Sequence, residues 1–317
     1  SMNTGLIAAF VTLLCWTAGT FAFTAASKQA EAGAINRVRL FYATILLSIV
    51  IVLLYGPGIT QLFTLPSFYE WFWLGLSGII GLTIGDFFAF NAYRILGSSR
   101  TSLFSAFAPV AALLLGIVIL GETMNLAGIF GMLISICGIL WFIRSTRKTT
   151  DESVDRKRIS SGIVFAIIGA VTQGLGLVCS KKGLNIIHYN GADLNPVHAT
   201  WIRIFIAMLA AYSLAVFKRN IFNEFKMMSS TPRIIKPLIA GTLFGPVMGV
   251  SFSLIAATQL QVGIAQTIFS MQPLTVMFAA TISGKEKLGL PSVIAALVSV
   301  IGVFVLVWRN ELMQLTQ

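Results

Sequence analysis

"RLFYA" occupies Arg39–Ala43, and 164 positions later "RIFIA" occupies Arg203–Ala207. One echo of this kind carries little weight. The same displacement, however, lays Pro109 of "AFAPV" on Pro273 of "SMQPL", Glu122 of "LGE" on Glu286 of "GKE", and Gly138 on Gly302. No gap is needed along that length, so the chain reads as a duplication. Ser77, Gly81 and Gly85 fall likewise on Gly241, Gly245 and Gly249. A small residue at every fourth position makes a smooth stripe on one helix face, which lets backbones approach closely in lipid.

The repeated unit is not a soluble domain. Of 317 residues, 56% are hydrophobic and only 10% are charged, against roughly 25% charged in soluble domains. Apolar stretches recur at about 4–27, 34–55, 70–94, 99–121, 125–144, 160–182, 194–217, 235–258, 262–283 and 289–309. Each has the length of about 20 residues that a helix needs to cross about 30 Å of hydrocarbon. They lack the alternation of barrel strands, and only helices and closed barrels satisfy their backbone in lipid. The expected fold class is therefore an all-α polytopic membrane protein with ten transmembrane helices. The first stretch is too long for a signal peptide and has no convincing small-residue cleavage site before Lys28. Cys15, Cys137 and Cys179 lie inside spans without paired spacing, which indicates neither a disulfide framework nor a zinc site.

Charge supplies the orientation. The net charge is +11, yet 17 of the 22 Lys and Arg residues follow odd-numbered spans, a distribution no nucleic-acid groove requires. The positive-inside rule then places the odd-numbered connections in the cytoplasm and both termini outside. The charged stretch 146–159 is the one real linker, and it separates a first five-span repeat, 1–145, from a second, 160–317. An odd number of spans makes the second copy enter the membrane from the opposite side, so the repeats are inverted. Inverted repeats are an architecture of secondary transporters, with a substrate site near mid-bilayer where the repeats meet.

The stretches "LGSSRTSLFSAFAPVAALLLGIVILGETMNLAGIFGMLISICG" and, more loosely, "LQVGIAQTIFSMQPLTVMFAATISGKEKLGLPSVIAALVSVIG" resemble the two EamA-type domains of drug/metabolite transporters. The resemblance covers nearly the whole chain. It implies ten helices in a basket around a central cavity lined by the first, third, fourth, sixth, eighth and ninth, and transport in the export direction. The second copy departs from the pattern: Lys285 stands within "GKE", and Val250 takes the place of Asp86.

Asp86 is the only acid well inside a span. A carboxylate there must find a partner or hold a proton, and either suits coupling to protons or another ion. Tyr93, seven residues on, returns to nearly the same helix face. A structural ion pair, for instance with Arg39, is the competing reading. Arg39 and Arg203 stand at equivalent points of the two copies and retain their charge at any working pH; a gating or structural role is favoured over direct anion binding. Trp16, Thr17, Thr172 and Gln173 in the first and sixth spans, with Trp201, Gln259, Gln266 and Gln272, collectively suggest a polar lining, while interfacial anchoring or hydrogen bonding between helices is favoured for each taken singly. Pro109 and Pro273 are expected to bend their helices, as gates or cavity walls or simply as kinks that give the helices their shape. Lys181 and Lys182 read as interfacial, and His188 and His198 as plain polar residues without a metal-ligand arrangement.

With no GxxxxGK[ST] loop, energy must come from an ion gradient or exchange. The sequence thus predicts a secondary-active transporter of small polar or amphipathic metabolites such as amino acids, working by alternating access in a bacterial inner membrane, monomeric or homodimeric, with no cofactor. An intramembrane enzyme is disfavoured, because Asp86 has no acidic partner within the spans and "HExxH" is absent. A translocase of lipids or lipid-linked phosphates on the same fold is the alternative, and it requires a cavity open sideways to the bilayer.

Overall fold

The computed structural model describes residues 1–27, 29–56, 60–96, 101, 104–105, 107–145, 156–184, 194–216, 221–282 and 289–310. Every regular element among them is helical. Ten apolar helices follow in chain order: α1 (Met2–Ala26), α2 (Ala32–Leu53), α3 (Phe68–Leu96), α4 (Phe107–Leu120), α5 (Leu126–Phe142), α6 (Ile159–Leu184), α7 (Pro196–Ala215), α8 (Pro232–Gln259), α9 (Val262–Ala279) and α10 (Leu290–Val307). Eight are long and apolar enough to cross a membrane, while α4 and α5 are shorter. Two short helices, Gln61–Thr64 and Ile221–Ser230, lie outside this set. Residues 146–155 of the expected linker fall outside the described residues, and the chain is already helical from Arg156.

Local chemistry sets the helix starts. At α3, Ser67 and Glu70 form a capping box: the Glu70 carboxylate accepts from the Ser67 amide at 2.7 Å, and the Ser67 hydroxyl accepts from the Glu70 amide at 3.3 Å. Such caps contribute about 1 kcal/mol. Asn195 caps α7, accepting from the Val197 amide at 2.8 Å, and Pro196 follows where its missing N–H costs nothing.

Pro109 and Pro273 do not act as mid-helix kinks. Pro109 is the third residue of its described helix. In α9 the helix breaks at Ser270–Met271 and restarts at Gln272, so Pro273 occupies the first turn of the new segment. Both prolines sit where a helix begins and no intrahelical donor is needed.

A different irregularity recurs in the two halves. α3 widens into π-helical turns over Gly78–Gly85, and α8 does so over Leu243–Gly249, the same place on the 164-residue displacement. Pro246 removes one donor inside the second, which a widened turn accommodates. In the first, the Asn36 side-chain amide donates to Leu82 O at 3.0 Å and Thr83 O at 3.2 Å, and the Thr83 hydroxyl donates to Ala207 O at 2.9 Å.

The small-residue stripes lie at close helix crossings. A Cβ on Gly176 of α6 would lie 3.1 Å from Gly81 Cα, and one on Gly19 of α1 would lie 3.5 Å from Gly245 Cα. The Ser77 hydroxyl reaches Ser180 Oγ and Gly176 O, each at 2.6 Å. Packing between the halves is reciprocal: α1 lies on α8 and α9 as α6 lies on α3 and α4, while α2 meets α7, α4 meets α9 and α5 meets α10. Exchanging the halves leaves that pattern unchanged.

Candidate functional site

The helices surround a polar cavity of about 120 Å³ whose lining includes Trp16, Thr20, Phe23, Arg39, Asp86, Tyr93, Gln173 and Gln272. A second hollow of about 70 Å³ adjoins it, bounded among others by Tyr93, Ser105, Gln173, Gln272, Pro273 and Met277. A third of about 30 Å³ lies deeper, lined by Trp16, Asp86, Gln173, Arg203, Ser253 and Gln266 together with four smaller or apolar residues. All three draw on both halves of the chain.

Asp86 owes its position to the widened turns, since it is the residue that follows them and begins the regular helical part of α3. Its carboxylate forms an ion pair with the Arg39 guanidinium of α2. Arg39 is held from other directions as well. Its Nε donates to Asn36 Oδ1 at 2.9 Å, and its guanidinium lies 5.1 Å from the Phe90 ring centroid and 5.6 Å from that of Phe23. Asn36 therefore couples the irregular backbone of α3 to the arginine that pairs with Asp86. Its part had no signal in the repeat, for an asparagine in an apolar stretch reads as one polar residue among many.

Arg203 of α7 is buried deep beside this pair. Among the described residues its Nε has no hydrogen-bond partner, nor has Oε1 of buried Gln266. Gln272 is bonded, its amide donating to Thr20 Oγ1 at 2.6 Å and to Trp16 O at 3.1 Å. The Trp16 indole fills the space left by the absent side chain of Gly249 and packs edge-on against Phe269 at 5.1 Å.

Other residues expected at the lining lie elsewhere. Thr17 bonds Leu13 O at 2.7 Å and Thr275 Oγ1 at 2.5 Å, joining α1 to α9. Thr172 bonds back to Ile168 O at 2.6 Å and packs against Gly85. Trp201 sits in an aromatic cluster with Phe63, Trp71 and Phe205, its indole donating to Ser48 Oγ at 2.8 Å. A neighbouring helix supplies a polar partner to Thr17 and Trp201 and the preceding turn of α6 supplies one to Thr172, so the cavity is not needed to satisfy these groups. Gln259 is exposed at the end of α8. His198 Nε2 lies 2.9 Å from Leu62 O, and no cluster of potential metal ligands occurs among the described residues. His188 and Glu286 lie outside the described residues.

Lys181, in the last turn of its helix, does not reach outward. It is buried, with Nζ donating to Glu122 Oε1 at 2.6 Å and Leu260 O at 2.5 Å. The other carboxylate oxygen of Glu122 accepts from the Val262 amide at 3.0 Å. This knot joins the end of α4, the end of α6 and the α8–α9 junction. The open cavities lie toward the opposite ends of α1, α3, α6 and α9. Glu122 entered the sequence reading only as a marker of the repeat, and its partner, 59 residues away, has no recognisable spacing.

A bundle of apolar helices, eight of them long enough to cross a membrane, with a hollow between its two halves defines a polytopic membrane protein with an internal cavity. The family profile described as "EamA-like transporter family" matches residues 3–144 and again 160–308. The chain belongs to the EamA-like transporter family, a family of membrane transporters. No curated protein sequence matches it. A solved structure titled only "Crystal structure of protein" is similar over 96% of this chain and 98% of that one, with 19% identity and a TM-score of 0.68. That likeness concerns the fold.

Proposed function

We propose that the protein is a secondary-active transporter that carries a small polar or amphipathic metabolite, such as an amino acid, across the bilayer by alternating access, with export as its direction. The observation that carries this reading is the polar cavity at the seam of the two halves. Ten spans in two five-helix repeats of opposite topology would place that seam at mid-bilayer, and the reciprocal packing of the halves supports it. The Lys and Arg distribution favours an inner membrane with both termini outside, so that the open cavities face the cytoplasm and the Glu122–Lys181 knot closes the outer side.

Asp86 is the proposed coupling group. A proton on its carboxylate removes the charge that holds Arg39, freeing the arginine to move. Arg39 and Arg203 are the proposed gating or anion-binding residues, with Pro109 and Pro273 marking helix starts that can shift. The test is flux driven by a pH gradient in proteoliposomes. Asp86→Asn should abolish it, and so should the charge-balanced Asp86→Asn/Arg39→Gln protein, which controls for misfolding. Undiminished pH-driven flux in either variant removes Asp86 from coupling.

One observation favours translocation of a lipid or lipid-linked phosphate instead. A cleft of about 600 Å³ between α2, α3 and α7 is flanked by Arg37, Arg94 and the exposed Phe87 and Leu214. Arg39 and Arg203 do not line it. Competition of vesicle lipid with solute flux separates the two readings.

A further inference from the structure

The charges buried at the centre of the molecule do not balance. Arg39 and Asp86 neutralise each other. Among the described residues Arg203 has no carboxylate at ion-pair distance, so two arginines and one aspartate leave one surplus positive charge. Arg203 is only 5% exposed and cannot shed its charge at a working pH. Asp86 lines the same chamber as Arg203, but one carboxylate shared between two buried guanidinium groups leaves an unfavourable arrangement unless something else supplies a second negative charge.

Two orphaned atoms say what that something must offer. Among the described residues, Arg203 Nε is a donor without an acceptor, and Oε1 of Gln266, which is 2% exposed, is an acceptor without a donor. Both residues line the same 30 Å³ chamber. This chamber shares Trp16, Asp86 and Gln173 with the larger cavity beside it. It has room for a head group only, and the remainder of a ligand would extend into the neighbouring space.

We propose that this chamber receives the charged end of a small organic carboxylate: Arg203 binds the carboxylate, and a hydroxyl or ammonium on the adjacent carbon donates to Gln266 Oε1. The monoanion of a hydroxy acid cancels the surplus, an amino acid pairs with Arg203 while its own ammonium leaves the net charge as it was, and a phosphate dianion overshoots it. The asymmetry of the duplication fits this assignment, because Asp86 answers Arg39 in the first copy while Val250, at the equivalent place in the second, leaves Arg203 for the ligand. The inference rests on the reading of the cavity as a transport site and names the chemical class it takes.

The test is the thermal stability of the purified full chain in detergent, at matched ionic strength, with L-lactate, L-alanine, propionate, lactamide, chloride or phosphate. Lactate or alanine should raise the melting temperature by mass action, propionate should do so less, and the amide and inorganic anions should not. Arg203→Gln should weaken the response about tenfold to a hundredfold. Gln266→Leu should keep the response to carboxylates and erase the preference for lactate over propionate, so it decides the matter if Arg203→Gln does not fold. The proposal is overturned if no carboxylate stabilises the protein, if lactamide, chloride or phosphate matches lactate, or if Arg203→Gln responds like the parent. Binding without any flux in proteoliposomes would instead retain this subsite and reject the transport reading.

Discussion

Ser135 of α5 and Ser299 of α10, 164 residues apart, place their hydroxyl oxygens 3.3 Å from each other. The contact is reciprocal around them, for Gly138 abuts Ser299 and its counterpart Gly302 abuts Ser135. When residue i touches the copy of j and j touches the copy of i, the two surfaces are related by a two-fold axis. The repeat in the sequence is thus matched by self-complementary packing in space.

This crossing has no room for side chains. A Cβ on Gly138 would lie 2.5 Å from Ser299 N. Gly138→Leu and Gly302→Leu are each expected to destabilise the protein by about 1–3 kcal/mol, and by similar amounts, as overpacking does. Thermal unfolding in detergent measures this. Full tolerance of either substitution would contradict so close an approach.

The Arg39–Asp86 pair predicts a dependence of one charge on the other. Asp86→Asn leaves two guanidinium groups among the central helices with no carboxylate, a change that costs about 3–5 kcal/mol when one partner of a buried pair is removed. Adding Arg39→Gln should recover most of that loss. Equal stability of the parent and the Asp86→Asn single variant would show that the pair does not hold the fold.

Glu122 and Lys181 should control access from the side on which they lie. In a protein whose Cys15, Cys137 and Cys179 are replaced, a cysteine at Gln173 reports exposure of the cavity to membrane-impermeant thiol reagents. Glu122→Gln is expected to raise labelling from the α4–α5 side at least several-fold, since even about 1.4 kcal/mol shifts a two-state population tenfold. Unaltered labelling from that side excludes the knot as a gate.

Trp201 separates packing from selectivity. Trp201→Phe loses the bond to Ser48 and should cost about 1 kcal/mol, and Trp201→Ala should cost about 3–5 kcal/mol. Neither should change the ranking of solutes in a transport or binding panel. A reordered ranking would place Trp201 in contact with the solute.

The residues themselves determined the class, the duplication and the exceptional standing of Asp86, because lipid imposes rules that can be read one residue at a time. A span needs about 20 apolar residues, and an intramembrane acid needs a reason. Tertiary structure alone decided the partners. Whether Thr17, Thr172 and Trp201 faced a cavity or a neighbouring helix depended on which backbone or hydroxyl group came within hydrogen-bond reach, and helix rotation sets that. The same holds for Lys181, which reads as a surface lysine until the fold brings Glu122 and Leu260 O to its ammonium. The widened turns before Asp86 and Val250 were hidden for a related reason: their carbonyls are answered by Asn36, Arg39 and other distant groups, and a long-range hydrogen bond leaves no periodic trace in the chain that makes it.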